Sequence, residues 1–300
     1  MAAKPTPGEL VRAILRGGGD EVAIIAPFIK VEALRSVLAA VPQSSRIRCV
    51  TRWLPRDIAA GVSDPEIINV LEERGDFSLS LVDVLHAKLY IGGDKCLVGS
   101  SNVTFSGLGE ARERSNIEVL VTVSVDDPGV TEVLNEISRA ERMATRDDAS
   151  MARRLADSLS PLLGRSSDGA GAWFPRSRRP ERAYEVYRNV PVGYLASAEK
   201  ILLRDVAMAN IQPGFNEHEF KTSMRSLLSR IPFSREILTQ GEDVTLTRAD
   251  AQSYLEVVSA GEFSVDDLWR SFVSWMSYFY SDQVMKQEIA DIGLRRAQTL

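Results

Sequence analysis

The stretch LHAKLYIGGDKCLVGSSNVTFSGL, Leu85 to Leu108, decides the fold of the first half of the chain. Two short apolar runs flank Gly92, Gly93 and Asp94 and are joined too tightly for a parallel crossover, so they predict an antiparallel hairpin. Side chains two apart on a strand share a face, which assigns Leu85, Ala87, Leu89 and Ile91 to a core and His86, Lys88 and Tyr90 to the opposite side. Folding back about the turn brings Ser100 and Asn102 alongside His86 and Lys88. VTFSGL then predicts a short helical turn whose free N–H groups face the same place, as an anion site requires. An imidazole, an ammonium, a hydroxyl, an amide and backbone donors in one place suit a phosphoryl group. Neutral imidazole, with a pKa near ~6.5, can act as nucleophile or proton shuttle at neutral pH. Lysine supplies charge, and Ser and Asn supply direction, as negative charge builds on the equatorial oxygens of a five-coordinate phosphorus. That scheme needs no metal and no cofactor, and two histidines in 300 residues leave little from which to build a zinc site.

Outward from the hairpin, the first half alternates strand-like and helical runs. EVAIIAPFI, RIRCVTRW and SLSLVDV read as strands; VEALRSVLAAV and DPEIINVLEERG read as helices, the latter starting near Asp64 and stopping at Gly75. NIEVLVTV reads as a strand and VTEVLNEISRAERMA as an amphipathic helix. The pattern is α/β, with a mixed sheet flanked by helices. The second half changes period. VGYLASAEKILLRDVAMANI, NEHEFKTSMRSLLSRI, TRADAQSYLEVVSA and SVDDLWRSFVSWMSYFYSDQVMKQEIADI all read as helices, with Pro213, Pro232 and Gly261 between them. In the last of these, Leu268, Phe272, Trp275 and Phe279 recur at three- and four-residue steps, the pattern of a core-facing stripe. The expected organisation is a domain over 1–150, a helix end and basic Gly/Ser/Arg linker over 151–182, and a mainly helical domain over 183–300.

Composition bounds the function classes. The chain is 44% apolar and 26% charged, with no apolar run long enough to cross a bilayer, and its start lacks the apolar core of a secretory signal. Cys49 and Cys96 sit in apolar strand-like runs and read as buried, inert thiols, and a cytoplasmic setting follows from these features. A net charge of −5 advertises no nucleic-acid partner globally, so any phosphate site must be local. The densest basic stretch is FPRSRRPER, with Arg176, Arg178, Arg179 and Arg182 behind the Gly/Ser-rich GRSSDGAGA. It reads as a solvated linker or as a strap for a polyanion's backbone. Arg52, Trp53 and Arg56 follow a strand end and read equally as lining of the approach to the site or as loop residues.

His86-Ala-Lys88, then Asp94, then Gly99-Ser100-Ser101-Asn102 resembles the HxK…D…GSxN signature of the phospholipase D superfamily. SNIEVLV resembles the Asn-x-Glu strand that follows it in many members, so the resemblance covers roughly residues 20 to 145. It implies a phosphohistidine intermediate on His86, phosphate held by Lys88 and Asn102 with help from Ser100, and Glu118 orienting His86 through its other ring nitrogen. Five residues rather than four separate Lys88 from Asp94, which puts in question the structural role the family gives that aspartate. The family's complete site uses two such motifs, one histidine attacking while the other protonates the leaving oxygen. This chain has one, because His218 lies in FNEHEFKTSM with neither motif half nearby, so the resemblance implies a homodimer with a shared site.

Single-motif dimeric members with an extra domain are similar to the family's nucleases, including metal-independent restriction endonucleases. A nuclease, acting on DNA ahead of RNA and fitting a restriction or defence role, is therefore the first expectation. The alternatives are a lipid phosphodiesterase or transferase and a non-catalytic dimeric scaffold. The Arg52, Arg56, Arg176, Arg178 and Arg179 side chains are the expected substrate contacts, no membrane is expected, and the C-terminal domain is expected to bind nucleic acid or a further protein partner.

Overall fold

The computed structural model describes residues 5–111, 115–163, 173–188, 197–239, 245–259, 263–289 and 291–296. They belong to two compact units, Met1–Arg153 and Arg154–Leu300. The first runs α1 (Pro7–Arg16), β1 (Glu21–Ile25), α2 (Val31–Leu38), β2 (Arg46–Thr51), α3 (Pro55–Ala59), α4 (Ile67–Arg74), β3 (Phe77–Leu81), β4 (Leu89–Gly92), β5 (Lys95–Gly99), α5 (Phe105–Leu108), β6 (Leu120–Ser124), α6 (Pro128–Ala140), β7 (Arg142–Met143) and the start of α7 (Arg146–Leu163).

The strands of this unit form one mixed sheet in the order β6-β5-β4-β1-β2-β3-β7. The strands β1, β2 and β3 are parallel, and β4, β5 and β6 add antiparallel to the free side of β1. This is the mixed α/β sheet expected, with the hairpin β4–β5 lying between β6 and β1. Leu97, Tyr90, Ile24, Cys49 and Leu79 stand side by side across five strands, and all are buried. The other face of the hairpin, with Leu85, Ala87, Leu89 and Ile91, packs with Cys96, Val130 and Ile137 into a second apolar layer, as its alternation predicts. Parallel strands are covered on both faces, which is why EVAIIAPFI reads as an unbroken apolar run. Burial pushes the Cys49 thiol up to about 12 and the Cys96 thiol up to about 11, so both are inert at neutral pH.

Several expected elements differ. The strand expected from Ala87 starts at Leu89, because the carbonyls of Leu85 and His86 accept from Arg52 and Lys88 side chains instead of a ladder. NIEVLVTV becomes strand only at Leu120, since the Val119 N–H donates to the Ser100 hydroxyl. The helix expected to reach Ala144 stops at Ala140 and gives way to β7. The sequence reading missed α1, although Thr6 and Glu9 form a capping box around Pro7. Gly92 packs under the end of this helix, where a Cβ would meet the Ile14 carbonyl.

The described second unit contains a 3-10 turn (Pro180–Arg182), α8 (Ala183–Arg188), α9 (Ser197–Met208), α10 (Glu217–Ser229), α11 (Ser234–Thr239), β8 (Thr245–Leu246), α12 (Arg248–Ser259), α13 (Val265–Phe279), β9 (Val284–Ile289) and β10 (Asp291–Arg296). It is mainly helical, and the expected stripe Leu268, Phe272, Trp275 and Phe279 is buried. The last helix is shorter than its periodicity suggested. It ends at Phe279, a turn closes through Val284 N–H to the Tyr280 carbonyl, and β9 and β10 pair antiparallel beside β8. The unit boundary falls between Arg153 and Arg154, inside α7. Residues 173–182 of the expected linker belong to the second unit's core: Asp205 accepts from the Arg176 and Ser177 N–H groups at 2.9 and 2.6 Å, and the Ser177 carbonyl accepts from Trp275 at 2.7 Å. GRSSDGAGA (164–172), residues 189–196 and Gly261 lie outside the described residues.

Burial raises the Asp205 carboxyl to about 7, against the two N–H groups that favour its charged form. An aspartate whose folded pKa exceeds its unfolded value of about 3.9 holds a proton in the folded state that the unfolded chain has released. The second unit should therefore lose stability as pH rises from about 4 to about 7. Denaturant melts across that range check this, and Asp205→Asn should flatten the slope.

Candidate active site

Lys88 lies at the entrance to β4, seven per cent exposed, one residue before the buried ladder begins. Its ammonium donates to the His86 carbonyl at 2.6 Å and lies 3.4 Å from His86 Nδ1, while the imidazole itself is exposed. Burial first, then the charge of Arg52, holds the Lys88 pKa below that of an ordinary lysine; Glu118 acts in the opposite sense. The structure thus gathers His86, Lys88, Arg52 and Glu118 into one electrostatic neighbourhood.

Across the hairpin, β5 ends at Gly99 and the next residues carry the remaining expected groups. Gly99 is required by close approach, because a Cβ there would meet the Val119 carbonyl. That approach lets the Ser100 N–H donate to the Val119 carbonyl at 3.0 Å and the Ser100 hydroxyl accept from the Val119 N–H at 3.1 Å. The same hydroxyl donates to Glu118 Oε2, whose other oxygen accepts from Asn116 at 3.1 Å. Among the described residues Glu118 therefore holds Ser100 and Asn116, and its bonds do not include His86, the partner implied by the family resemblance. Asn102 presents a buried amide oxygen without a hydrogen-bond partner. Such an atom costs on the order of 1–3 kcal/mol unless a ligand or water pairs it.

The expected helical turn is α5, but Thr104 caps it and takes the Gly107 N–H at 3.1 Å. Asp94 sits exposed in the hairpin turn and meets the rest of the sheet through its carbonyl, which accepts from the Val125 N–H at 3.0 Å. Arg52 is the contact that sequence reading did not foresee in this form: Nη1 donates to the Leu85 carbonyl at 3.0 Å and Nε to Asp57 at 2.9 Å. Trp53 is buried, and Arg56 is half-buried, its pKa lowered by desolvation. In the second unit Arg178 pairs with Asp267, Arg179 lies 3.4 Å from Glu181, and Arg176 stacks over Phe263 at 5.3 Å. Those basic residues, read from sequence as a solvated linker or a strap, have neighbours within their own unit. Among the described residues no group of three His, Cys, Asp or Glu side chains is placed to hold a metal ion.

No family model matches the sequence, and no curated protein does. Solved structures of similar fold include NucT from Helicobacter pylori, at 11% identity and a TM-score of 0.35, over 45% of this chain and 86% of that one. TrmBL2, an archaeal chromatin protein described as showing a novel mode of DNA binding, matches at 18% identity and a TM-score of 0.31, over 46% of this chain and 50% of that one. Phosphatidylserine synthase from Haemophilus influenzae Rd KW20 matches at 14% identity and a TM-score of 0.34, over 53% of this chain and 43% of that one.

Ser100→Ala removes the acceptor of the Val119 N–H and one donor to Glu118. Segment 116–119 should open more readily, with amide exchange at Val119 accelerated about fivefold, as loss of roughly 1 kcal/mol implies. Unchanged exchange would mean that the hydroxyl does not hold this segment.

Proposed function

We propose that the first unit is a metal-independent phosphodiesterase, and most specifically a nuclease, with His86 as the covalent nucleophile. The observation that carries the reading is the exposed imidazole of His86 against the ammonium of the buried Lys88, beside Arg52 and the Ser100–Glu118 pair. An unprotonated ring nitrogen attacks phosphorus; the new N–P bond forms as the bond to the leaving oxygen breaks, and that oxygen takes a proton from an acid on the far side. Water then attacks the phosphohistidine, giving its proton to the group that had acted as the acid while the N–P bond breaks, which returns the imidazole and releases the phosphorylated product. Lys88 and Asn102 stabilise the negative charge on the equatorial oxygens, the service a metal gives in other phosphodiesterases. Glu118 acts at one remove, holding Ser100 in place.

We do not assign the acid to His218, which lies on α10 with neither half of the motif nearby in sequence. A second copy supplies it, so that two His86 side chains face one phosphate across a two-fold axis. Ile117 and Val119, on either side of Glu118, are exposed and give such a copy apolar surface to bury. The second unit contributes nucleic-acid or partner binding. No helix among the described residues is long and apolar enough to cross a membrane.

Purified protein should cleave plasmid DNA in excess EDTA and leave a phosphatidylcholine dispersion intact. Cleavage that requires added Mg²⁺ or Mn²⁺ would overturn the mechanism, and lipid hydrolysis without DNA cleavage would move the assignment to a lipid phosphodiesterase. His86→Ala should lose roughly 10⁴-fold or more in kcat, the scale expected when a covalent nucleophile is removed. Glu118→Gln should lose less, because the carboxylate works through Ser100. Sedimentation should find the active species to be a dimer; an active monomer would defeat the shared site.

A further inference from the structure

We propose that Arg52 is a positioning residue of this site: its guanidinium grips the chain just before His86 and fixes a positive charge beside Lys88. Three contacts define its place. Nη1 donates to the Leu85 carbonyl at 3.0 Å, Nε donates to Asp57 Oδ2 at 2.9 Å, and the guanidinium lies 5.0 Å from the centre of the Phe28 ring. Arg52 and Asp57 are each only 18% exposed in their side chains, so the pair is held in the protein rather than waving in solvent.

The grip matters because His86 precedes the ladder. Successive carbonyls of an extended chain point to opposite sides. Here the Leu85 carbonyl is held by Arg52 and the next one, of His86, by Lys88 at 2.6 Å. Two cationic side chains thereby clamp the backbone at the nucleophile, and the fixed directions of a planar fork serve Asp57 and Leu85 together in a way that a flexible ammonium does not reproduce. The charged groups facing Lys88 are Arg52 and Glu118, with the titratable His86 beside its ammonium; the group facing Arg52 is Asp57. Arg52 disfavours the charged form of Lys88 and Glu118 favours it. Removing Arg52 therefore raises the Lys88 pKa.

The activity arm of the test rests on the phosphodiesterase reading; the titration arm does not. In the full-length chain, with folding checked by circular dichroism, Arg52→Gln, Arg52→Lys and Asp57→Asn are compared with wild type. Lys88 is titrated by ¹³C NMR of lysine-labelled protein, its signal assigned with Lys88→Arg, and kcat and KM on DNA are measured against pH. Arg52→Gln should raise the Lys88 midpoint, move the alkaline limb of the rate profile upward, and lower kcat between about tenfold and a hundredfold with KM within about twofold. Arg52→Lys should keep the low Lys88 midpoint and still lose kcat, and Asp57→Asn should lose less than either. If Arg52→Gln does not fold, the other two variants make the same comparison, since full activity in both would overturn the proposal. It is also overturned by an unmoved Lys88 midpoint in Arg52→Gln, or by a raised KM with kcat intact, which would make Arg52 a substrate contact. Wild-type protein inert on DNA would defeat the nuclease reading and leave the titration to decide on Arg52.

Discussion

The site depends on what the chain does with one buried phenol. Tyr90 stands fully buried in the middle of the sheet, between Ile24 and Leu97, and a hydroxyl taken out of water there must find an acceptor. It donates to the Ser101 carbonyl at 2.7 Å, two residues past the end of β5. Burial drives its pKa far up, so the phenol stays a donor. That single bond ties the strand that follows Lys88 to the loop that carries Ser100 and Asn102. Ser101 then passes the constraint on, donating to the Gly107 carbonyl at 2.8 Å and anchoring the turn of α5. Polar groups that are far apart in the hairpin's two arms are held together by a bond made entirely inside the core.

Around that anchor the electrostatics are balanced rather than simply positive. Lys88 gives up much of its hydration, is pushed toward neutrality by Arg52 and is pulled back by Glu118. Glu118 is itself engaged by Ser100 and Asn116, and Arg52 by Asp57 and the Leu85 carbonyl. Each charge is thus held by a neighbour that fixes its direction, which is how a preorganised site avoids reorientation when negative charge develops. The amide oxygen of Asn102 departs from this pattern, buried without a hydrogen-bond partner; being an acceptor it needs a donor such as water, whereas the amide nitrogen is the side of Asn102 that can donate to a phosphate oxygen.

Much of this was legible in the sequence, and the reasons are local. Period-two alternation put Leu85, Ala87, Leu89 and Ile91 in the core, the tight Gly92-Gly93-Asp94 turn made the sheet mixed, and the hairpin spacing set the end of β5, just before Ser100, against the Lys88 backbone. What was not legible depends on contacts distant in the chain. Tyr90 shares a parity with His86 and Lys88 and was grouped with them as an outward face, yet α1 and the rest of the sheet bury it. Arg52 reads as a strand-end arginine until the Leu85 carbonyl, 33 residues on, is seen to be its acceptor. Glu118 could not be assigned to Ser100 rather than His86 from spacing, because the close approach at Gly99 decides it. The C-terminal strands were hidden for another reason: the helical stripe that ends at Phe279 ran on by chance into an alternating segment, and a turn at Tyr280 separates the two.

The central claim is a covalent detour through His86, and the stereochemical course at phosphorus tests it most directly because it does not require the intermediate to accumulate. A phosphodiester made chiral at phosphorus with sulfur and oxygen isotopes, cleaved by the wild-type protein in isotopically labelled water, should give product with net retention, since two in-line displacements each invert. Net inversion would mean a single direct attack by water and would contradict the account.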